Sequence, residues 1–275
     1  MHVSHIQLCP EIGPICGYDP PVPYQHDQTL VSNDLVLDAE LGLLPHLAIE
    51  GIFTLRQTTD RIQFLDLQNQ PYVPPVPDFH HRNETIVGPT DPWLMLHFGT
   101  NFSDYAVSGR AGVSLPIGYT VPNPFELGRE GLPHEHIQYG TGTWDPILGA
   151  SIDRQFTGYG LSLWTLNRFV FGTNSYGYQS GHKLLVGLTA KTDFGLKQFN
   201  FSGGLDVYRE MGEHWSGKTE LEGNLGRTDF IADLTAAWVF SKPWTVTLGL
   251  KIPLYSFVQG EQAYYPGILT LALSM

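Results

Sequence analysis

The feature that most restricts the fold of this chain is a period-two alternation of apolar and polar side chains, clearest over residues 183–209. One set of alternate residues is Leu184, Val186, Leu188, Ala190, Thr192 and Phe194. After a break at residues 195–197 the pattern resumes with Phe199, Phe201, Gly203, Leu205 and Val207. Because successive side chains of a β-strand point to opposite faces, the pattern predicts two strands, each with one apolar and one polar face.

The same alternation recurs along most of the chain, with charged side chains placed between apolar ones. This is the signature of a transmembrane β-barrel, whose strands of about ten residues face lipid with apolar side chains and the interior with polar ones. No apolar run approaches the ~18 residues of a membrane-spanning helix. We therefore predict an all-β fold, a transmembrane antiparallel up-and-down barrel of about twelve strands. A soluble β-sandwich, which would bury the apolar faces, is the alternative.

Connections between the predicted strands alternate between short turns and long loops. Barrels of this class have short periplasmic turns and longer external loops, so we expect the long connections to be external: residues 65–88, 118–140, 172–181, 211–228 and 257–266. Residues 28–275 would form the barrel. Residues 1–27, rich in proline, are expected to be an irregular external segment, and the first strand to be missing or poorly formed. An exported barrel needs a leader, and none is visible in the first residues.

Charge and cysteine content limit the partners and the compartment. The formal net charge is −12, which argues against a nucleic acid as partner. Only 15% of residues are charged, against about 25% in soluble domains, which suits a lipid bilayer as the main partner. Cys9 and Cys16 are the only cysteines. They could form a disulfide in an oxidising compartment or remain two free thiols.

Several segments resemble a family of bacterial outer-membrane barrels known as transporters or as meta-pathway phenol-degradation proteins. The similarity lies in a G-x-x-D strand start at residues 88–91, an L-P-x-G strand end at 115–118, and G-x-G-x-x-D-x-x-L-G at 140–149, and it extends to the last hairpin at 251–275. The resemblance implies a barrel of about twelve strands, an outer-membrane location in a Gram-negative cell, and a porin-like role in passing small molecules.

Charged residues on the polar faces are the expected lining of the lumen: Asp38, Glu40, Glu50, Arg56, Arg110, Asp145, Asp153, Lys191, Asp193, Asp206, Asp233 and Lys251. In a wide barrel they would line a pore and set its selectivity, whereas in a narrow one they could pair and close it. Acids outnumber bases in this set, so an open pore should favour cations. Trp93, Trp164, Trp238, Trp244 and Phe240 lie near strand ends, where interfacial aromatics are expected.

Histidines in the predicted external loops provide candidate metal ligands, since neutral imidazole suits copper and zinc. The pairs are His80 with His81 and His134 with His136, although solvated loop histidines are the plainer interpretation. No cofactor is expected. His214 and Ser216 form a His-x-Ser element without an orienting partner, so a hydrolase is a remote alternative and we expect that the protein is not an enzyme.

The sequence therefore predicts an outer-membrane barrel that acts as a passive channel or transporter for a small solute, such as an aromatic compound or a metal ion. The alternative is a sealed barrel with a structural or interaction role, whose loops bind a partner or a metal.

Overall fold

A computed structural model describes residues 2–8, 23–74, 82–221, 223–260 and 262–275 of the chain. Twelve strands form one continuous antiparallel path in which each strand pairs with the next along the chain. They are β1 (His2–Leu8), β2 (Pro23–Leu44), β3 (Leu47–Leu65), β5 (Trp93–Phe102), β6 (Tyr105–Ser114), β7 (Asp145–Phe156), β8 (Tyr159–Arg168), β10 (Lys183–Thr192), β11 (Phe199–Met211), β13 (Asn224–Ser241), β14 (Trp244–Gly260) and β15 (Ile268–Ser274). The predicted all-β, antiparallel up-and-down barrel of about twelve strands is confirmed.

The connections alternate in length, as the sequence predicts. Short turns join β2 to β3, β5 to β6, β7 to β8, β10 to β11 and β13 to β14, and every other connection is longer. All short turns therefore lie at one end of the barrel, called here the short-turn end, and the opposite end is the long-loop end. Both β1 and β15 have their terminal residue toward the short-turn end, because β1 runs into a long connection and β15 runs out of one.

The barrel wall reverses the arrangement of a soluble protein: its outer face is apolar and its inner face carries charged side chains. Val186, Leu234 and Leu248 are 46, 53 and 50% exposed on the outer face. Asp206, which belongs to the alternate set of residues on the polar face, is 1% exposed. A soluble sandwich would bury the aliphatic side chains and expose the carboxylates. Apolar side chains outside and charges inside are the arrangement of a barrel that lies in a bilayer.

The amino-terminal segment differs from the prediction. Residues 1–27 were expected to be irregular, but His2–Leu8 form β1, which pairs with residues 23–29 of β2 from His2 opposite Thr29 to Leu8 opposite Pro23. β2 supplies the backbone hydrogen bonds that β1 needs. The proline-rich composition of residues 1–27 therefore did not predict whether this strand forms. Residues 9–22 lie outside the described part of the chain.

The long connections contain regular structure that the sequence analysis assigned to loops. β4 (Glu84–Pro89) pairs with β3, the helix α1 spans Pro124–Arg129, and β9 (Tyr178–Gln179) pairs with β12 (His214–Trp215). The Asn123 side chain accepts hydrogen bonds from the backbone N–H groups of Phe125 and Glu126 and so caps the helix. In the described residues no helix is both long and apolar enough to span a membrane.

Three of these connections, residues 115–144, 169–182 and 212–223, pack on one another at the long-loop end and are called here the loop cap; residue 222 is not among the described residues. Phe125, Tyr178 and Trp215 form its buried core. The Tyr178 and Trp215 ring centroids are 4.7 Å apart, and those of Phe125 and Trp215 are 6.2 Å apart. The Ser216 N–H donates to the Gly177 carbonyl at 2.7 Å. The cap therefore has a small aromatic core of its own.

The predicted aromatic girdle is only partly found. Trp238, Phe240 and Trp244 are exposed on the outer face near the short-turn end, with Phe199 stacked 6.4 Å from Trp238. Trp164 lies on the opposite face, where its Nε1 donates to the Thr189 hydroxyl at 3.2 Å. It shares the register of Ser162, which is buried, so strand parity rather than position along the strand decides which tryptophans reach the interface.

Candidate functional site

A triad of charges lies in the lumen at mid-height. Lys251 pairs with Asp233 directly across β13 and β14, and its Nζ lies 2.7 Å from Asp206 Oδ2 and 2.6 Å from Asp233 Oδ2. Asp206 Oδ1 is buried and accepts no hydrogen bond from any described residue. The ammonium therefore holds two carboxylates that would otherwise repel each other, and three of the predicted lumen residues form one unit.

Close packing at the wall brings a tryptophan ring next to this triad. A side chain at Gly187 would lie 2.4 Å from the Trp164 ring and 2.5 Å from Asp206 Oδ1. No real Cβ tolerates such distances, so Gly187 lets the indole and the carboxylate approach the wall together. The arrangement presents an aromatic face beside a charged group on the lumen side of β8, β10 and β11.

A second group of charges lies nearer the short-turn end. Arg110 Nε donates to Glu50 Oε2 at 2.7 Å, and His97 Nδ1 lies 2.6 Å from Glu40 Oε2. Glu40 and Glu50 are direct partners across β2 and β3. Asp38 lies on the same face of β2 as Glu40, two residues earlier. Three carboxylates, one guanidinium and one imidazole therefore share a small area of the lumen wall.

A cavity of about 640 Å³ opens beside this group and reaches the short-turn end. Its lining includes His46, His97, Arg110, Asp153, Ser162, Trp164 and Lys191. Lys191 Nζ lies 3.8 Å from Asp153 Oδ1, and both side chains are partly exposed to this space. Polar groups of both signs and one indole therefore line the accessible part of the lumen.

At the long-loop end the wall is tied to the loops by buried acids. Asp91 accepts hydrogen bonds from the Gly118 and Thr141 backbone N–H groups at 2.9 and 2.7 Å. Thr141 Oγ1 in turn donates to Asp145 Oδ2 at 2.8 Å, and Arg168 lies 3.8 Å from Asp91. Asp145 is therefore an anchor for the strand-to-loop junction rather than a group that faces open water.

The loop cap reaches into the mouth of the barrel. The Arg56 guanidinium lies 5.8 Å from the centroid of the Tyr139 ring, which belongs to the cap. Arg56 also pairs with Asp34, with Nη2 and Oδ2 2.6 Å apart. Because Arg56 projects from the lumen side of β3, Tyr139 must lie against that side of the wall. The cap therefore narrows the long-loop mouth.

Two ionisable groups of the cap are perturbed by their surroundings. Burial raises the pKa of the Glu213 carboxyl, although it accepts hydrogen bonds from Trp215 Nε1 at 3.2 Å and from the Asn224 N–H at 3.3 Å. Burial, with the nearby Glu135 carboxylate, raises the pKa of the Tyr119 hydroxyl. Both groups therefore favour their neutral forms more than they would in water.

The predicted metal-binding histidines are only partly described. His134 and His136 have ring centroids 5.3 Å apart, and His134 Nδ1 lies 2.8 Å from the Leu132 carbonyl oxygen. The His136 ring packs 5.0 Å from Phe125. A metal at this pair stays a prediction. His80 and His81, and the cysteines Cys9 and Cys16, lie outside the described residues.

One predicted lumen residue lies elsewhere. Asp193 is in the turn between β10 and β11, where its Oδ1 accepts the Gly195 N–H at 2.8 Å. The alternation was extended one residue too far there, because the strand ends at Thr192. Asp193 therefore belongs to the rim at the short-turn end and not to the wall of the lumen.

Several inward charges were missed because the alternation was not followed to the strand ends. Glu210 has the parity of Asp206, and Lys183 Nζ lies 3.5 Å from Glu210 Oε1. Asp229 has the parity of Asp233, and it pairs with Arg227 at 2.8 Å. The same period-two rule would have found Glu210 and Asp229 in the sequence. Asp91 lies in a loop, and no such rule predicts it.

Comparisons with known proteins support the fold and no closer relationship. No family model matches the chain, and no curated protein matches it. The crystal structure of the COG4313 outer membrane channel from Pseudomonas putida F1 is similar, with a TM-score of 0.56 over 92% of this chain and 84% of that one. The two sequences are 11% identical over the match. The likeness therefore shows that this chain has the fold of an outer-membrane β-barrel channel.

Proposed function

We propose that this protein is an outer-membrane channel that passes a small solute passively, with the loop cap restricting its long-loop mouth. The observation that carries this proposal is the polar cavity of about 640 Å³ that opens at the short-turn end, inside a wall whose outer face is apolar. The fold shared with an outer membrane channel supports the same function. Membership of the phenol-degradation barrel family is part of the proposal.

The solute class that fits the lining is a small cation or an aromatic molecule. In the lumen wall beside the cavity, acids exceed bases in the group formed by Asp38, Glu40, Glu50 and Arg110, which favours cations at that level; of this group only Arg110 lines the cavity itself. Trp164 offers a flat face for an aromatic ring or a cation in the same cavity. A water-filled lumen with both features would conduct ions while it admits small organic molecules.

Planar-bilayer recording of the purified protein tests the channel. We expect discrete conductance steps and a reversal potential that indicates cation preference in a salt gradient. Asp153→Asn should reduce that preference, because it removes an acid from the cavity and leaves Lys191 unpaired. Glu130→Gln, the same loss of charge at an exposed position of the cap, is the matched control. Equal selectivity of the two variants would contradict the assigned pathway.

A sealed barrel with a structural or interaction role is the second candidate. The observations that favour it are the triad of Asp206, Asp233 and Lys251 and the packing of the loop cap. A bilayer that stays silent with wild-type protein, and stays silent when the cap is opened by mutation, would support this second function and overturn the first.

We further propose that the protein has no hydrolytic activity. Ser216 Oγ lies 3.5 Å from Glu126 Oε1 and occupies a tight turn with a φ of 50°. A nucleophilic serine needs a base that is held close enough to take its proton, and a contact of 3.5 Å with one exposed carboxylate of the cap helix does not provide that. Esterase activity that disappears in Ser216→Ala would contradict the proposal.

A further inference from the structure

Glu40, Glu50 and His97 form the strongest cluster of metal-ligating side chains in the described part of the chain. One ligand atom from each lies within 4.8 Å of the others. The three residues come from three neighbouring strands, β2, β3 and β5, so the sheet itself fixes their relative positions. We propose that they bind a divalent transition-metal ion, such as Zn²⁺ or Mn²⁺, in the lumen wall near the short-turn end.

The pairing of the strands explains why a cation is needed here. Glu40 and Glu50 are direct cross-strand partners, and like charges in that position destabilise a sheet. Arg110 pairs with Glu50 through Oε2 alone, and Asp38 adds a third carboxylate on the same face. One guanidinium and one imidazole therefore face three carboxylates. A divalent ion bound between Glu40 and Glu50 would offset that excess negative charge.

The donor set and its spacing fit a first-row metal. Carboxylate oxygen and imidazole nitrogen bind Zn²⁺ at about 2.0–2.2 Å, which places tetrahedral ligands roughly 3.3 Å apart. His97 Nδ1 and Glu40 Oε2 are 2.6 Å apart and joined by a hydrogen bond. The metal would take the place of the hydrogen between these two atoms: the imidazole proton moves from Nδ1 to Nε2, which leaves the Nδ1 lone pair for the metal. Small side-chain rotations would open the set to ligand spacing.

The surroundings indicate an exchangeable site. Three protein ligands leave at least one coordination position for water. His97 and Arg110 line the open cavity, so an ion can enter from the short-turn end. Arg110 competes with the ion for Glu50, which would weaken binding. A site of this kind holds an ion transiently within the lumen.

Metal titration of the full-length protein in detergent micelles, after treatment with a chelator, tests the proposal. Zn²⁺ should bind with one equivalent by calorimetry, and Co²⁺ should give a visible absorption band from its protein ligands. Loss of a ligand in His97→Ala or Glu40→Gln should weaken binding about tenfold or more and remove the Co²⁺ band. Arg110→Gln should strengthen binding, because it frees Glu50.

The matched control for Glu40→Gln is Glu130→Gln, which removes one exposed carboxylate from the cap and leaves the lumen unchanged. It should bind Zn²⁺ as the wild type does. Equal affinity of wild type and His97→Ala would overturn the proposal, and loss of affinity only in the double variant His134→Ala/His136→Ala would assign the metal to the histidine pair of the cap. Circular dichroism shows that each variant is folded. Binding is measured without conductance, so this test and that of the channel fail independently.

Discussion

In the barrel wall, Leu234 and Leu248 lie on the surface while Asp206 is buried. In the loop cap the reverse holds, because Trp215 and Tyr178 are buried while Glu130 is exposed. The two regions belong to one chain and are joined at residues such as Asp145. The difference shows that the solvent, and not the residue type, decides which side of an element an apolar group occupies. This is the difference expected if lipid surrounds the wall and water surrounds the cap, as the proposed function requires.

Two tryptophans give the largest expected difference between the regions. Trp215→Ala should destabilise the cap by about 3–5 kcal/mol, because it empties the middle of a buried cluster. Trp238→Ala removes an exposed ring from the outer face and should cost the barrel much less. Limited proteolysis of the loops and conductance should change in the first variant. Unfolding of the whole barrel by Trp215→Ala would show that the cap is not a separate unit.

A charge placed on either face of β13 tests the wall itself. Leu234→Arg puts a guanidinium into the hydrocarbon and should cost about 2–4 kcal/mol. Ala237→Arg, on the lumen face of the same strand, should cost much less, since its guanidinium can remain in the water of the lumen. Urea unfolding in lipid vesicles measures both. Equal costs would mean that the two faces have been assigned wrongly.

The smallest expected effect concerns the pH response of the cap. The pKa of Glu213 is raised above its ordinary value of 4.5 by burial. A raised pKa means that the folded cap binds a proton more tightly than the unfolded loops do. Its contribution to cap stability is therefore complete below pH 4.5 and is lost as the pH rises through the raised pKa.

Loop proteolysis should consequently be slower at pH 5 than at pH 8 for the wild type. Glu213→Gln should remove much of that difference, because a neutral amide can still accept the hydrogen bonds from Trp215 and Asn224. A pH response that is unchanged in this variant would assign it to other groups. The barrel wall should show no comparable change, which separates the two regions once more.

The alternation in the sequence was enough to predict the barrel, the eleven strands of its wall that follow β1, and most of its inward charges. The alternation of side chains depends only on the strand itself and not on the strands beside it. Asp206, Asp233 and Lys251 could therefore be assigned to the inner face from the sequence alone. The same rule was extended one residue too far at Asp193, because strand ends are set by turn geometry rather than by pattern. Trp164 was assigned to the interface from its position near a strand end, although its parity places it on the lumen face.

What the sequence alone determined, therefore, is which side chains share a face and that one face of the wall is apolar and the other polar, the arrangement expected when lipid covers the apolar face. Only the tertiary structure decided which charges meet. Lys251 contacts both Asp206 and Asp233, and Glu40, Glu50 and His97 come together, through strand register across residues far apart in the chain. No periodic pattern in the sequence predicts the aromatic core of the cap, because irregular loops bury their side chains by packing on one another. That packing is fixed only once the barrel brings the ends of the loops together.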